Sequence, residues 1–98
     1  MKQIMHQQIE FNLPVSFITE DGRVVAYTPA LDISTSGKDE GEAKKRFGEL
    51  VNIFFKDLVE NNTVDTVLTE LGWHKGHFAW NPPRISQQSV NVRVPIAA

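Results

Sequence analysis

Cysteine is absent from the 98 residues, and so is any surplus of basic charge. The first absence excludes disulfides, thiol catalysis and cysteine-ligated zinc. The formal net charge of -2 disfavours non-specific nucleic-acid binding, which usually needs a basic face. The opening "MKQIMHQQIEFN" lacks the apolar run of a signal peptide, and no stretch reaches membrane-spanning length. We therefore expect a cytoplasmic protein with no membrane partner.

The chain has the length and composition of one ordinary globular domain, covering residues 1–98. Hydrophobic residues make up 41% of it and charged residues 22%, which is enough for a modest core. The order of patterns along the chain predicts an α+β fold. It consists of a three-stranded antiparallel meander, a crossover helix, a short second helix and a C-terminal fourth strand.

The first pattern is a β-hairpin in "LPVSFITEDGRVVAYT". Asp21-Gly22 lies between two runs rich in β-forming residues, which is a strong hairpin signal. A two-residue loop pairs Thr19 with Val24 and Phe17 with Ala26 and puts alternate residues on opposite faces. One face then holds Val15, Phe17, Val24 and Ala26, and the other holds Ile18, Val25 and Tyr27. After a corner at Pro29, "ALDIST" predicts a third strand.

Helical spacing follows in "DEGEAKKRFGELVNIFFKDLVENN". Asp39 with Glu42 three residues later is a capping-box variant that begins the helix. Ile53 falls outside the apolar face, and Gly48 is interpreted as a close approach of the helix to the sheet. A shorter helix in "TVDTVLTELGW" stops at Gly72. "HKGHFAWNPPRISQQS" is predicted to be irregular, and the alternation in "VNVRVPIAA" predicts the last strand.

The stretch from "VVAYTPALD" through "STSG" to "EAKKRF" resembles the HicB-like antitoxin family. In that family a pattern close to A-x-x-P-x-L leads through a glycine to a helix opening with Glu-Ala. "VNVRVPIAA" is similar to the family's last strand, so the resemblance covers nearly the whole chain. The matching positions here are Ala26, Pro29, Leu31, Gly37, Glu42 and Ala43.

The resemblance implies a truncated ribonuclease-H-like fold (β-β-β-α-α-β) with strand order 3-2-1-4. Family members with a toxin bind HicA, a small basic ribonuclease, and block its active site, whereas others stand alone. Many members continue into a DNA-binding segment, but this sequence stops at Ala98. The candidate partner is therefore a HicA-like toxin, and we expect no specific DNA binding by this chain alone.

No catalytic or metal-binding constellation is visible, so we expect neither an enzyme nor a cofactor. Ribonuclease H chemistry needs carboxylates that converge on two metal ions. The last strand has no acid, and Asp32 would lie on a strand that this chemistry does not use. His74 and His77 lack a third ligand with suitable spacing, so chance placement in a polar loop explains them better.

Partner binding is the remaining function class, and we predict a homodimer or a larger homo-oligomer. A small sheet with apolar residues on both faces needs a second cover, which a symmetric partner commonly supplies. The two tryptophans either close the core or serve as interface anchors. The candidate contact residues are Trp73, Phe78, Trp80, Ile53, Ile18, Val25 and Tyr27.

The alternative is a stand-alone HicB-like regulatory or nucleic-acid-binding protein with no cognate toxin. It rests on the basic triplet Lys44, Lys45 and Arg46 and on the aromatic residues. A solvated helix face explains the triplet equally well, because Glu40–Lys44 and Glu42–Arg46 are favourable i,i+4 pairs. Salt-dependent binding to RNA or DNA distinguishes the two.

Overall fold

The computed structural model describes residues 12–77 and 79–97 and confirms the α+β class. Three antiparallel strands form a sheet in their order along the chain, and the first helix packs mainly on the second and third strands. A second helix and a two-stranded hairpin follow. The elements are β1 (Ser16–Glu20), β2 (Arg23–Thr28), β3 (Ile33–Gly37), α1 (Glu40–Glu60), α2 (Val64–Glu70), β4 (His74–Lys75) and β5 (Trp80–Asn81).

The first hairpin forms in the predicted register. Thr19 pairs with Val24 and Phe17 with Ala26. Asp21 and Gly22 have φ values of 49° and 76°, so both central residues are left-handed, as a type I′ turn requires. This turn chemistry is local, and the sequence therefore sets both the pairing and the two faces of the sheet.

The third strand begins later than predicted. "ALDIST" covers residues 30–35, whereas β3 is Ile33–Gly37. The corner extends through Asp32, which has a φ of 54°. Ala30 and Leu31 are buried in that corner, and the Ala30 N–H donates to Thr28 Oγ1 at 3.2 Å. The apolar residues at the start of this stretch therefore bury the corner and do not form the beginning of the strand.

Helix α1 has the predicted start and apolar face. The Asp39 side chain accepts a hydrogen bond from Glu42 N at 2.8 Å, which confirms the cap. Ala43, Phe47 and Leu58 are buried along the helix. The interpretation of Gly48 was wrong, because a Cβ there would meet nothing within 4 Å.

The close approach of α1 to the sheet is at Gly37 instead. A Cβ at this last residue of β3 would lie 2.5 Å from Ala43 N. The chain passes from β3 into the helix with only two residues between them, Lys38 and Asp39. The helix start therefore folds directly over the strand end, and only glycine leaves room for it.

Two features of the C-terminal third differ from the predictions. His74–Lys75 pairs with Trp80–Asn81 in a short antiparallel hairpin inside the region predicted to be irregular. The predicted fourth strand does not form, because residues 82–97 have no helix or strand. Alternation of apolar residues gives a segment β propensity, but a strand also needs a neighbour with which to pair.

None of the helices in the described ranges has both the length and the apolar character needed to cross a bilayer.

Candidate interaction surfaces

Three of the predicted contact residues lie together on the open face of the sheet, the face opposite α1. Ile18 pairs directly with Val25, and Tyr27 follows two residues later along β2. Ile18 is 48% exposed, and Val25 and Tyr27 are half-buried. None of them contributes to either of the two hydrophobic clusters that form the core. The open face thus carries a partly exposed apolar patch, next to Ser34 and Ser36 of β3, that belongs to neither core cluster.

Tyr27 is fixed on this face by Asp32, a residue that the sequence did not single out for contact. The Tyr27 hydroxyl donates to Asp32 Oδ1 at 3.1 Å. This hydrogen bond, with smaller effects of desolvation and of the Asp32 charge, raises the pKa of the Tyr27 phenol above its ordinary value of 10.0. The only sign of this contact in the sequence was an acidic residue in the corner after β2. Its reach back to Tyr27 depends on the three-dimensional shape of that corner.

Charged residues border the open face. Glu20 and Arg23 pair across the end of the hairpin on the same side as Ile18, as alternation requires. Asp32 borders the other end through its bond to Tyr27. An apolar centre with a polar rim is the ordinary anatomy of a protein–protein interface.

Trp73 closes the core rather than facing a partner. It is 2% exposed, and its Nε1–H donates to the Ala30 carbonyl oxygen at 2.8 Å. The Trp73 ring also meets Phe55 edge to face, with the ring centroids 6.2 Å apart. The sequence left core closure and partner contact open, and the structure places this side chain in the core.

Trp80 lies on β5, directly across from Lys75. Its ring packs against the core cluster that contains Trp73, and the Lys75 ammonium sits 5.8 Å from the ring centroid. Part of Trp80 remains accessible, so it borders the core without being enclosed by it. Phe78, the third aromatic candidate, lies outside the described residues.

Ile53 is on the outer side of α1 and is 65% exposed, in agreement with its place outside the apolar stripe. Its helical neighbours Glu49, Lys56 and Asp57 are polar and exposed. Single exposed apolar side chains are common on protein surfaces. Ile53 is therefore a weaker candidate than the open face.

The basic triplet lies beside a shallow groove at the start of α1. The groove is lined by three basic side chains and three acidic ones, which are Lys38, Lys45, Arg46, Asp39, Glu42 and Glu49. Arg46 donates to the Ser36 carbonyl at 3.2 Å and lies 3.5 Å from the Glu42 carboxylate. This balance of charge gives a phosphate backbone little to attract it.

Among residues 12–77 and 79–97, no three histidine, aspartate or glutamate side chains lie close enough together to hold a metal ion. His74 is on β4, and His77 follows in the connection to β5. Neither histidine lines the groove beside α1.

Comparison with protein-family models, with curated proteins and with solved structures gave no match for this chain.

Proposed function

We propose that this chain is a non-enzymatic protein-binding module of the HicB-like antitoxin type that neutralises a small basic ribonuclease by covering it. The observation that carries the proposal is the partly exposed apolar patch formed by Ile18, Val25 and Tyr27 on the open face. The sequence resemblance supplies the family and the HicA-like partner. The proposal includes a homodimer or larger homo-oligomer, because a two-sided sheet of this size gains from a second cover.

The proposal also includes a ribonuclease-H-like strand order of 3-2-1-4, in which the fourth place belongs to the C-terminal segment and not to the short β4. This segment lies outside the sheet in the single chain and joins the sheet only on assembly. The β1-β2-β3 meander with α1 across it is compatible with that order. Within the described residues β1 pairs only with β2, so the place on its other side is open for a fourth strand.

Charge complementarity supports a basic partner. The chain has a net charge of -2, and Glu20 and Asp32 border the open face. Opposite charges around an apolar contact accelerate association and select the partner. The interface predicted here has an apolar centre at Ile18, Val25 and Tyr27 and a rim that includes two acidic side chains, Glu20 and Asp32, and one basic side chain, Arg23.

The test is binding to the purified product of a short basic open reading frame beside this gene. Isothermal titration should give micromolar or tighter affinity for the unaltered chain and at least a tenfold loss for Ile18→Asp, because a charge would be buried in the contact. Val59→Asp is the matched control, since Val59 is 62% exposed on α1. Equal binding by Ile18→Asp and the unaltered chain would overturn the proposed surface, and no binding would overturn the antitoxin role.

The alternative is a stand-alone regulatory or nucleic-acid-binding protein, favoured by the exposure of Lys44 and Lys45 on α1. Binding of this kind would weaken steeply with salt, with a slope that reports the number of phosphate contacts. A loss of RNA or DNA affinity in a Lys44→Gln, Lys45→Gln chain, with no affinity for a basic protein, would favour this alternative.

A further inference from the structure

Four apolar side chains at alternate positions in residues 90–96 are exposed to solvent. Their exposed fractions are 75% for Val90, 71% for Val92, 68% for Val94 and 85% for Ile96. Alternation of this kind is typical of a strand with one face buried. Here it occurs in a segment that is not part of any sheet. Four such residues in one short segment are more than the isolated apolar side chains of an ordinary surface.

Among the described residues, strand β1 pairs only with β2, and its other edge can accept an added strand. In a hairpin with a two-residue turn, the pair next to the turn exchanges both hydrogen bonds, and every second pair does the same. Glu20, Ile18 and Ser16 therefore bond to β2, whereas the backbone N–H and C=O groups of Phe17 and Thr19 point away from it. Phe17 itself is 37% exposed although its partner Ala26 is fully buried.

The chain's own segment does not fit along its own β1. Gln87 Nε2 donates to Ser16 Oγ at 2.7 Å, so the side chain of residue 87 reaches the first residue of this five-residue strand. Continuing at one residue per step toward the turn brings Val92 level with Asp21, already past the end of β1. Continuing in the opposite direction leaves β1 at once. In both cases residues 92–96 lie beyond the ends of β1.

We propose that residues 90–96 add to the free edge of β1 in a second copy of this chain, and that the second copy returns the same contact. Within the described parts of the chain, each copy offers one strand edge without a neighbour and one segment outside any sheet, so a two-fold exchange pairs both and closes the dimer. The added strand takes the place beside β1, with its valines on the face of Phe17 if it runs antiparallel to β1 and on the face of Ile18 if it runs parallel. The contact is made through the backbone edge of β1, next to the open face, and does not require a toxin.

Pro95 determines which edge of the segment makes the pairing. In an extended strand, the backbone nitrogens of residues 91, 93 and 95 face one side and those of residues 90, 92, 94 and 96 face the other. Proline has no N–H, so within a sheet it faces the outside. The edge with Val90, Val92, Val94 and Ile96 therefore faces β1 of the second copy.

This orientation gives a matched pair of substitutions. Val92→Pro removes an N–H from the pairing edge, whereas Arg93→Pro removes one from the outer edge. Neither residue belongs to a helix or strand of the single chain, so the α+β core should fold in both variants, as circular dichroism can verify. Sedimentation at micromolar concentration should show a dimer for the unaltered chain. Val92→Pro should weaken dimerisation at least roughly tenfold, because each copy loses the hydrogen bond that the N–H of residue 92 donates to β1 of the other copy. Arg93→Pro should stay within about threefold of the unaltered chain.

Hydrogen–deuterium exchange of the backbone amides then distinguishes strand pairing between two copies from strand pairing within one chain. The Phe17 and Thr19 amides should become protected as concentration rises, while the Ser16 and Ile18 amides are protected at every concentration. A chain that is monomeric throughout, or equal effects of the two proline substitutions, would contradict the inference. So would a dimer that Val92→Pro leaves intact and Ile18→Asp dissociates, because that dimer would use the open face. Protection of Phe17 and Thr19 that does not depend on concentration would show pairing within one chain.

Discussion

The indole Nε1–H of Trp73 donates a hydrogen bond to the Ala30 carbonyl oxygen at 2.8 Å, joining residues 43 positions apart in the chain. Ala30 is fully buried in the corner between β2 and β3, and Trp73 follows the end of α2. The bond therefore links the corner of the sheet to the second helix. Both residues belong to the same core cluster, together with Leu31, Leu58 and Leu68.

Trp73→Phe should lower the free energy of unfolding by about 2–3 kcal/mol. The smaller ring leaves a gap, and the buried Ala30 oxygen loses its donor. Urea denaturation followed by circular dichroism measures the loss without relying on tryptophan fluorescence. Trp80→Phe is the control and should cost less than about 1 kcal/mol, because Trp80 is partly exposed and its main polar contact is with the Lys75 ammonium. Equal losses would show that the Ala30 bond contributes nothing measurable.

Two glycines should respond in opposite directions to the same substitution. Gly37→Ala should destabilise the protein by about 2 kcal/mol, because the added Cβ would lie 2.5 Å from the backbone nitrogen of Ala43. Gly48→Ala should stabilise it by up to about 1 kcal/mol, since a Cβ in the middle of α1 meets nothing within 4 Å. Urea midpoints of both variants, compared with the unaltered chain, measure the two effects. A neutral Gly37→Ala would mean that the helix start shifts without cost.

The cap of α1 can be tested at Asp39. Asp39→Ala should cost about 1 kcal/mol, because the Glu42 N–H loses the carboxylate that accepts its bond at 2.8 Å. Asp39→Asn keeps an acceptor oxygen and should recover most of the loss. Thermal denaturation of the three chains at one pH gives the comparison. If Asp39→Asn is as unstable as Asp39→Ala, charge next to the helix dipole is the larger contribution.

The parts of the fold that were predicted from the sequence depend on local chemistry. Asp21-Gly22 fixes the hairpin because only left-handed conformations close that turn, and Asp39 with Glu42 fixes the helix start. The choice of core or partner for Trp73 could not be made in this way, because its hydrogen-bond acceptor is distant in sequence. The close approach at Gly37 was missed for the same reason, since it depends on how the helix returns over β3.

The C-terminal segment shows the limit of the pattern argument most clearly. The alternation of Val90, Val92 and Val94 predicts a strand, but the pattern contains no information about which edge receives it. Among the described residues of one chain the segment stays outside the sheet. The candidate open face was predictable, by contrast, because a hairpin register determines both faces at once.

The last prediction concerns the titration of Tyr27, the only tyrosine in the chain. Its bond to Asp32 stabilises the protonated phenol and raises its pKa above 10.0. The resulting stabilisation is complete below the unfolded value of about 10 and is lost as pH rises through the folded pKa. Asp32→Asn removes the negative charge and leaves a weaker, neutral acceptor. It should therefore lower the pKa of Tyr27 in an ultraviolet difference titration and reduce the loss of stability above that pH. Asparagine tolerates the positive φ of this position, so the corner should keep its shape. Asp21→Asn makes the same change at another left-handed position, at the far end of the hairpin, and should leave the titration of Tyr27 as it is. A Tyr27 pKa that is the same in the Asp32→Asn chain and the unaltered chain would show that the Asp32 carboxylate does not stabilise the protonated phenol.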